Sequence, residues 1–323
     1  MDDLRGARVL VTGGSGFIGA RLTRRLVEEG AEVHVLSSAV SAVYPVRLVD
    51  LRDRITVHGG NLADRSAMDA VVAAARPRLV FHLGAYTHVL KSWSRVDECV
   101  QTNIQGTLNL LQALNGDYER FVFTSTSEVY GPIGVPFRED ATVDPASPYS
   151  VSKYAGERYC RMFAAGKGWP IVIVRPFNAY GPGQTPDRVI PEIIVRSLRG
   201  ERLRMTEGRP TREFNFADDL ATGFLSAATT PGIEGDVFNL GSGQEVSMRE
   251  IAETIVDLLG RPVEPEFGAL PDRPNEIWRM VSDSTKAREH LGWDGGRPLR
   301  DGLAATIDWY RRELQRPDSS FVT

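Results

Sequence analysis

Residues 8–19 have the sequence RVLVTGGSGFIG, in which a short apolar run passes into a glycine-rich turn. The apolar run at Arg8 to Val11 predicts a strand, and Ala20 to Glu29 have the pattern of an amphipathic helix. A strand, a glycine-rich turn and a helix in this order are the context that a dinucleotide-binding fingerprint requires. Gly13 permits the tight turn, Gly16 lets the backbone approach a pyrophosphate, and Gly19 allows the helix to pack closely on the strand.

Strand and helix patterns alternate through the rest of the first half of the chain. Further strands are predicted at Glu32 to Leu36, Ile55 to His58, Leu79 to Leu83, Phe121 to Thr124 and Ile171 to Val174. Helices are predicted between them at Ser66 to Ala75, Val96 to Leu114 and Tyr149 to Ala165. Helices of this length between strands imply right-handed crossovers. The sequence therefore predicts an α/β fold of the Rossmann type, with a doubly wound parallel sheet.

The pattern changes after Arg175. Prolines divide the chain there into short pieces, at Pro176, Pro182, Pro186, Pro191 and Pro210. One further strand is predicted at Asp236 to Leu240, and a last helix at Leu303 to Glu313. Ser247 and Glu250 have capping-box spacing before a helix at Ile251 to Leu259.

These differences predict two domains. We expect a dinucleotide-binding domain at residues 1–176, to which residues 214–241 return. Residues 177–323 are expected to form a smaller, mostly helical substrate-binding lobe.

Composition and charge exclude some classes of partner. Of the 323 residues, 42% are hydrophobic and 25% are charged, which is ordinary for a globular protein. The net charge of −4 gives no overall basic field, so we expect no nucleic-acid partner. An anionic substrate would need a local basic site.

Cysteine usage and the amino terminus favour a reducing compartment. Cys99 and Cys160 both lie in predicted helices, so we expect no disulfide and, without metal-ligand neighbours, no metal. The start of the chain lacks the basic segment and apolar run of a signal peptide. No apolar stretch approaches the length that spans a bilayer. We therefore expect a cytoplasmic protein without a membrane partner.

The end of the second predicted strand leaves the choice of cofactor open. NAD-selective folds usually place an acidic side chain there, to hold the ribose diol. This chain has Ser37 and Ser38 instead, and no arginine follows directly for a 2′-phosphate. We expect NAD, with NADP as the alternative.

A candidate catalytic group combines the fifth predicted strand with the helix after it. Tyr149 and Lys153 are one helical turn apart, so both lie on one face. A lysine ammonium near a phenol favours the phenolate, which can then act as a general base. Thr126, Ser127 and Glu128 follow the strand, where doubly wound folds place their chemistry.

Together these features resemble the extended short-chain dehydrogenases/reductases, also called the NAD-dependent epimerase/dehydratase family. Matching blocks extend over nearly the whole chain: residues 12–19, 81–85, 102–107, 124–131, 149–153, 175–182, 212–214 and 273–276. One departure is Asn61, where relatives often have an aspartate against the adenine, so we expect adenine recognition to differ in detail.

The resemblance implies a set of binding residues. The cofactor would be held by Gly13, Ser15, Gly16, Phe17, Ile18, Gly19, Ser37, Ser38, Asn61, Leu62, Leu83, Gly84, Ala85, Thr87, Asn103, Thr124, Tyr149, Lys153 and Pro176. The substrate would be held by Thr87, Thr126, Glu128, Asn178, Val189, Arg212 and Arg273. The planar fork of an arginine suits the diphosphate of a nucleotide sugar.

The resemblance also implies catalytic roles for Thr126, Ser127, Glu128, Tyr149 and Lys153. Tyr149 would take the proton of the sugar 4-hydroxyl as hydride leaves C4, Lys153 would hold the nicotinamide ribose, and Thr126 would contact O4. Glu128 supplies the base that loss of water across C5 and C6 requires. We therefore predict a nucleotide-sugar 4,6-dehydratase.

Other reactions and partners stay open at this point. The Thr-Ser-Glu run resembles dehydratases of the GDP-mannose and GDP-N-acetylglucosamine type, and Ser127 stands where dTDP-glucose enzymes have aspartate. A 4-epimerase, a UDP-glucuronate-type decarboxylase and a 5,6-dehydratase are alternatives, and a catalytically silent dinucleotide sensor is the least favoured. Relatives commonly form dimers, so a homodimer built from the helices at Val96 to Leu114 and Tyr149 to Ala165 is expected.

Overall fold

The structure is a computed structural model that describes residues 4–38, 46–272 and 276–316. The elements of the first half are β1 Arg8–Thr12, α1 Phe17–Glu28, β2 Glu32–Ser37, β3 Ile55–Gly59, α2 Arg65–Ala75, β4 Leu79–His82, α3 Val89–Ser92, α4 Val96–Cys99, α5 Gly106–Leu114, β5 Arg120–Thr124, α6 Pro148–Lys167 and β6 Ile171–Pro176. Short 3₁₀ helices lie at Val46–Leu51 and Ser127–Val129, and a π-helical segment at Val100–Gln105 joins α4 to α5.

The second half has shorter strands. Its elements are β7 Asn178–Tyr180, α7 Val189–Leu198, β8 Leu203–Arg204, β9 Thr211–Arg212, β10 Phe214–Phe216, α8 Ala217–Thr229, β11 Val237–Leu240, β12 Val246–Ser247, α9 Met248–Leu258, β13 Pro265–Glu266, β14 Arg279–Met280, α10 Thr285–Leu291 and α11 Leu299–Leu314.

A seven-stranded parallel sheet forms the centre of the molecule, in the order β11-β6-β5-β4-β1-β2-β3. Its central strands are buried on both faces because helices cover both, whereas the edge strand β3 is only partly buried. Within β1, Val9 and Val11 contribute to one core, which includes Leu22 of α1 and Phe224 of α8. Leu10 contributes to the core on the opposite face, with α2, α5 and α6. The predicted Rossmann-type fold is confirmed.

The carboxyl ends of the central strands meet at one edge of the sheet. Because the strands are parallel, the segments that follow β1, β4, β5 and β6 all leave the sheet at this edge. Thr12, His82 and Thr124 are the last residues of the first three of these strands. The fold therefore gathers the predicted cofactor and catalytic segments in one place.

A further core lies in the second half of the chain, among α7, α9 and α11. Ile193, Ile255 and Leu303 are buried there. The small strands β9, β12 and β14 form a separate three-stranded sheet, and β7 pairs with β10. These helices and short strands match the pattern expected of the second half, and the existence of a separate substrate-binding lobe stays a prediction.

Parts of the second half pack on the central sheet. Strand β11 pairs with β6, helix α8 packs against α1, and α10 packs against β11. The exact division of the chain into domains at residue 176 stays a prediction.

The described residues contain neither a membrane helix nor a metal cluster. No helix within these ranges combines the length and the apolar character needed to cross a bilayer. Nor do three or more His, Cys, Asp or Glu side chains of the same ranges gather closely enough to hold a metal. Cys99 and Cys160 are buried free thiols.

Candidate active site

The glycine turn after β1 has no room for larger side chains. Gly13 has a φ of +69°, and a Cβ there would lie 2.7 Å from the backbone nitrogen of Gly84. A Cβ on Gly19 would lie 2.1 Å from the carbonyl oxygen of Gly13. Both contacts are far shorter than real Cβ contacts, so the turn requires glycine for close packing as well as for its conformation.

The amino terminus of α1 has the properties of an anion site. Gly16 is exposed and caps the helix, and within the described chain no side chain hydrogen-bonds at this cap and no acid lies in the first turn. Free backbone N–H groups and the helix dipole therefore favour a negative group here. A pyrophosphate fits this cradle.

The end of β2 presents hydroxyls to the same turn. The Ser15 and Ser37 hydroxyl oxygens are 3.1 Å apart; Ser37 is buried and Ser38 is exposed. Leu62 is buried against the loop after β4, because a Cβ on Gly84 would lie 2.8 Å from it. Asn61 is exposed, and its side chain accepts a hydrogen bond from Ala63 N–H.

Helix α6 places Tyr149 and Lys153 beside this edge of the sheet. Its first turn is fixed by Pro148 at N1 and by a capping box between Ser147 and Ser150. Tyr149 is 8% exposed and Lys153 is 1% exposed. The predicted pair is therefore buried together on one helical face.

Burial acts on the pKa values of both residues. It raises the pKa of Tyr149 to about 12, although a hydrogen bond with the Thr126 side chain lowers it and the Glu128 carboxylate raises it further. Burial lowers the pKa of Lys153 to about 8. The Lys153 ammonium lies 4.5 Å from the centre of the Phe123 ring. That the Lys153 ammonium favours the phenolate form of Tyr149 stays a prediction.

Glu128 lies in the 3₁₀ turn that follows β5. Thr126 caps this turn by accepting the Glu128 N–H at 3.2 Å. Burial raises the pKa of Glu128, the charge of Arg212 opposes this, and Glu276 adds to it. A carboxyl with a raised pKa keeps its proton to a higher pH than an ordinary glutamate, which suits a group that both takes and gives a proton. Ser127 is buried, and its hydroxyl donates to the Met280 sulfur at 3.5 Å.

The predicted substrate residues lie on several elements. Asn178 of β7 donates to the Glu213 carbonyl at 3.3 Å. Arg212 of β9 forms a 2.6 Å ion pair with Glu276, and both side chains are less than one-fifth exposed. Val189 begins α7 and Thr87 is exposed after β4. Arg273 lies outside the described residues, so its role stays a prediction.

Four further predicted cofactor residues lie at the same edge of the sheet as the glycine turn. The Thr124 hydroxyl is buried and has no hydrogen-bond partner in the portion of the chain that the structure describes. Leu83 and Ala85 flank Gly84 in the partly buried loop after β4. Pro176 ends β6, at the same edge of the sheet. An unpaired buried hydroxyl at this edge is a group that a ligand could satisfy.

Two charged residues near the catalytic group were missed from the sequence. The Arg188 charge lowers the pKa of Tyr149, which places it close to the phenol. Glu276 pairs with Arg212 and acts on Glu128. Arg188 is next to the predicted substrate residue Val189, and Glu276 is the last residue of the block at residues 273–276. This adjacency in the sequence is the signal that could have identified the two residues.

Comparison with known proteins gives a consistent result. Residues 9–241 match the sequence profile of the NAD dependent epimerase/dehydratase family. A dTDP-glucose 4,6-dehydratase of Neisseria meningitidis serogroup B is 33% identical over 94% of this chain and 93% of its own length.

Solved structures are similar over almost their full length. A UDP-glucose 4-epimerase of Thermotoga maritima, solved with UDP-glucose, has a TM-score of 0.88 and 30% identity, covering 95% of this chain and 99% of its own. A UDP-glucose 4-epimerase of Thermus thermophilus, solved with NAD, has a TM-score of 0.84 and 28% identity, covering 94% and 99%.

Proposed function

Because the chain belongs to the NAD-dependent epimerase/dehydratase family, we propose that it is a nucleotide-sugar 4,6-dehydratase that keeps NAD bound throughout turnover. The relatives above act on or bind nucleotide sugars by name, which supports this class of substrate. The NAD named for the Thermus thermophilus structure supports the cofactor. The glycine cradle, the uncapped α1 terminus and the unpaired Thr124 hydroxyl fit that cofactor.

The observation that carries the proposal is the position of Glu128. Its N–H donates to the Thr126 hydroxyl at 3.2 Å, and the Thr126 side chain also hydrogen-bonds with Tyr149, so Glu128 lies in the turn beside the tyrosine. Burial raises the pKa of Glu128. A 4-epimerase needs no acid or base besides the group at O4. Loss of water across C5 and C6 needs a second group that accepts a proton and returns one.

The chain's own residues divide this chemistry between them. Bound NAD supplies a hydride acceptor and donor. Tyr149 takes the proton of the C4 hydroxyl, and Thr126 holds the same oxygen. Glu128 then takes the acidified C5 proton and gives a proton to the departing C6 oxygen, so that one water leaves and the C6–O bond breaks. Hydride added at C6 and a proton added at C5 balance the reaction.

Charged residues at the mouth of the site fit a nucleoside diphosphate. Arg212 is held by Glu276 and would exchange that carboxylate for phosphate oxygens when substrate enters. Asn178 lies on the neighbouring small strand pair and would add an amide donor. The sequence resemblance favours a GDP-linked sugar, whereas the Neisseria relative is named for dTDP-glucose, so both belong in the test.

A 4-epimerase is the second candidate, because the Thermotoga maritima structure shares nearly the whole fold. The two reactions differ in where hydrogen from C4 ends. We expect label from C4-deuterated substrate to appear at C6, in a methyl group of the same sugar molecule, with solvent hydrogen at C5. The measurement is NMR of the products from GDP-, UDP-, dTDP- and CDP-sugars.

Other labelling patterns would contradict dehydration. Label returned to C4 with inverted configuration would establish the epimerase, and carbon dioxide from a uronic acid substrate would establish the decarboxylase. Absence of any product over the whole panel, with NAD bound, would support the dinucleotide sensor.

Paired variants separate the two catalytic roles. Glu128→Gln is expected to permit C4 oxidation while blocking water loss, and Tyr149→Phe to lower turnover about 100- to 10,000-fold. Glu139→Gln is the control for the first, because Glu139 also has a pKa raised by burial but accepts from Asn239 N–H. Tyr154→Phe, on the same helix, is the control for the second. Wild-type rates in either catalytic variant would remove that residue from the mechanism.

A further inference from the structure

A chain of buried hydrogen bonds runs beneath the candidate active site. Its centre is His82, which is fully buried at the end of β4. Nδ1 of its ring lies 2.6 Å from the Thr12 hydroxyl, and Nε2 lies 3.0 Å from the Thr107 hydroxyl. The chain therefore joins the strand before the glycine turn to the first turn of α5.

The direction of every hydrogen bond in this chain can be derived. The Thr107 hydroxyl donates to the Asn103 carbonyl at 2.7 Å, so it accepts from an N–H on Nε2 of His82. Burial and the charge of Lys153 lower the pKa of His82 to about 3, so its ring is neutral and carries that one proton. Nδ1 is then an acceptor.

The donors and acceptors in the other half of the hydrogen-bond chain follow from this position of the His82 proton. The Thr12 hydroxyl must donate to Nδ1, and it also accepts the Gly84 N–H at 3.1 Å. Hydrogen bonds thus run in one direction from Gly84 through Thr12, His82 and Thr107 to the Asn103 carbonyl. Such aligned chains strengthen each bond by polarisation.

The Asn103 side chain continues the connection in two directions. Its amide oxygen accepts the Tyr86 N–H at 2.7 Å, and its amide nitrogen donates to the Tyr86 carbonyl at 3.1 Å. The same nitrogen donates to Ser152 at 2.8 Å, and the Ser152 hydroxyl donates to the Tyr149 carbonyl at 2.7 Å. Asn103 therefore holds the loop after β4 and the first turn of α6 at once.

Local backbone structure brings Asn103 to this position. It lies in the π-helical segment, and π segments are often found at functional sites. Helix α6 approaches this segment closely, because a Cβ on Gly156 would lie 3.2 Å from the Asn103 carbonyl. The rings of Phe121 and Phe123 pack against the His82 ring, each with its centroid 5.8 Å from that of the imidazole.

We propose that His82, acting through Thr107 and Asn103, is a positioning residue that fixes the loop at residues 84–86 and the Tyr149 turn in one mutual register. The loop would lie along the cofactor, and Tyr149 would lie at the reacting sugar. These hydrogen bonds, called the His82 relay below, would therefore set the position of Tyr149 relative to the cofactor. The role of His82 in turnover rests on the proposed function. Its role in cofactor binding and the position of the proton on its ring are independent of that function.

A matched pair of substitutions tests the relay. Thr107→Val keeps the shape but leaves the His82 N–H unpaired and removes the side-chain hydrogen bond to the Asn103 carbonyl, whereas Thr107→Ser keeps the hydroxyl. We expect Thr107→Val to weaken NAD binding to the apo protein about tenfold and Thr107→Ser to stay within about twofold of wild type. The measurement is calorimetric titration, without any sugar. A relay that serves stability alone would lower the unfolding temperature of Thr107→Val and leave its NAD affinity at the wild-type value, which would overturn the proposal.

A second measurement keeps the test decisive if Thr107→Val does not fold. ¹⁵N NMR of the wild-type protein should show His82 protonated on Nε2 alone and unchanged from about pH 5 to about pH 9. The signal is assigned by its absence from His82→Gln. A ring protonated on Nδ1, or titrating in that range, would overturn the proposal.

Ser152→Ala then isolates the branch to Tyr149. It should keep NAD affinity within about twofold while lowering kcat at least about tenfold and shifting its pH profile. Unchanged kcat and pH profile would remove Tyr149 from the relay. Absence of dehydration in the wild type, with the NAD and NMR results as expected, would instead count against the proposed function alone.

Discussion

The hydroxyl pair of Ser15 and Ser37 bears on the choice between NAD and NADP. The two oxygens are 3.1 Å apart at the end of β2, where an acid would repel a 2′-phosphate. We expect the protein to bind both cofactors, with NAD preferred. Titration of the apo protein with each cofactor measures this.

Ser37→Asp and Ser37→Asn make the cofactor test specific. The aspartate should increase the preference for NAD, whereas the uncharged asparagine of the same shape should not. A preference of wild type for NADP beyond about a hundredfold, about 2.7 kcal/mol, would show that this strand end selects a phosphate.

Lys153 illustrates a conflict between stability and function. Its buried ammonium has a pKa of about 8 in the folded protein against an ordinary 10.5. The folded state therefore holds fewer protons than the unfolded state between these values, so stability from this group rises as the pH rises through that window. At pH 7 the buried charge lowers the free energy of unfolding by up to about 3 kcal/mol.

Lys153→Met should consequently stabilise the apo protein at neutral pH while lowering turnover. The gain in unfolding free energy over wild type should shrink towards zero as the pH approaches about 11. Lys167→Met, at the exposed end of the same helix, is the control. Chemical denaturation at several pH values measures both, and a gain that grows with pH would contradict the assignment.

The sequence could predict Tyr149 and Lys153 because their relation is local, one turn of one helix. Arg188 and Glu276 were missed because their place near Tyr149 and Glu128 depends on the path of the chain between distant segments. The relay through His82 was missed for the same reason, since Thr12 and His82 are 70 residues apart. No spacing pattern records such contacts.

At the level of elements, the capping of α6 has a matched counterpart in α9. Ser147 and Ser247 each begin a helix with a complete capping box. Loss of either cap should cost about 1 kcal/mol of stability. Only α6 carries Tyr149 and Lys153.

Ser147→Ala and Ser247→Ala should therefore lower stability similarly and differ in activity. We expect only Ser147→Ala to lower kcat, because fraying of the first turn displaces Tyr149 from Thr126. Urea denaturation gives the stabilities and steady-state kinetics gives the rates. Equal losses of kcat in the two variants would show that the effect is global rather than local to α6.

Elements were predicted where one local pattern dominates. The six strands of the first half begin and end within about two residues of their predicted bounds, because buried parallel strands are continuous apolar runs. Helix α7 is absent from the sequence-based prediction, because a proline such as Pro191 usually interrupts a helix. Pro191 is the third residue of α7, within the first turn, where a missing N–H costs no helical hydrogen bond. The π segment inside the predicted helix at 96–114 has no apolar signature of its own.

At the scale of the whole molecule, α6 and its neighbours expose several large apolar side chains. Side chains more than two-fifths exposed lie on α4, the π segment and α6, and one lies between α3 and α4: Trp93, Val96, Val100, Val151 and Met162. Helix α6 packs beside α4 and the π segment, so these side chains lie on adjoining surfaces. Exposed apolar side chains grouped on neighbouring helices favour an interaction site.

We expect this surface to pair with its copy in a homodimer, because a two-fold axis places the same patch on both subunits. Val151→Glu combined with Met162→Glu should give a monomer of 35.6 kDa, whereas wild type should have twice that mass. Leu270→Glu, at an exposed leucine elsewhere, is the control and should leave the dimer intact. Light scattering after size-exclusion chromatography measures the masses. Because α6 carries Tyr149 and Lys153, the monomeric variant should also lose activity if dimer formation makes that helix more rigid. A monomeric wild type would contradict the homodimer and leave this apolar surface to another partner.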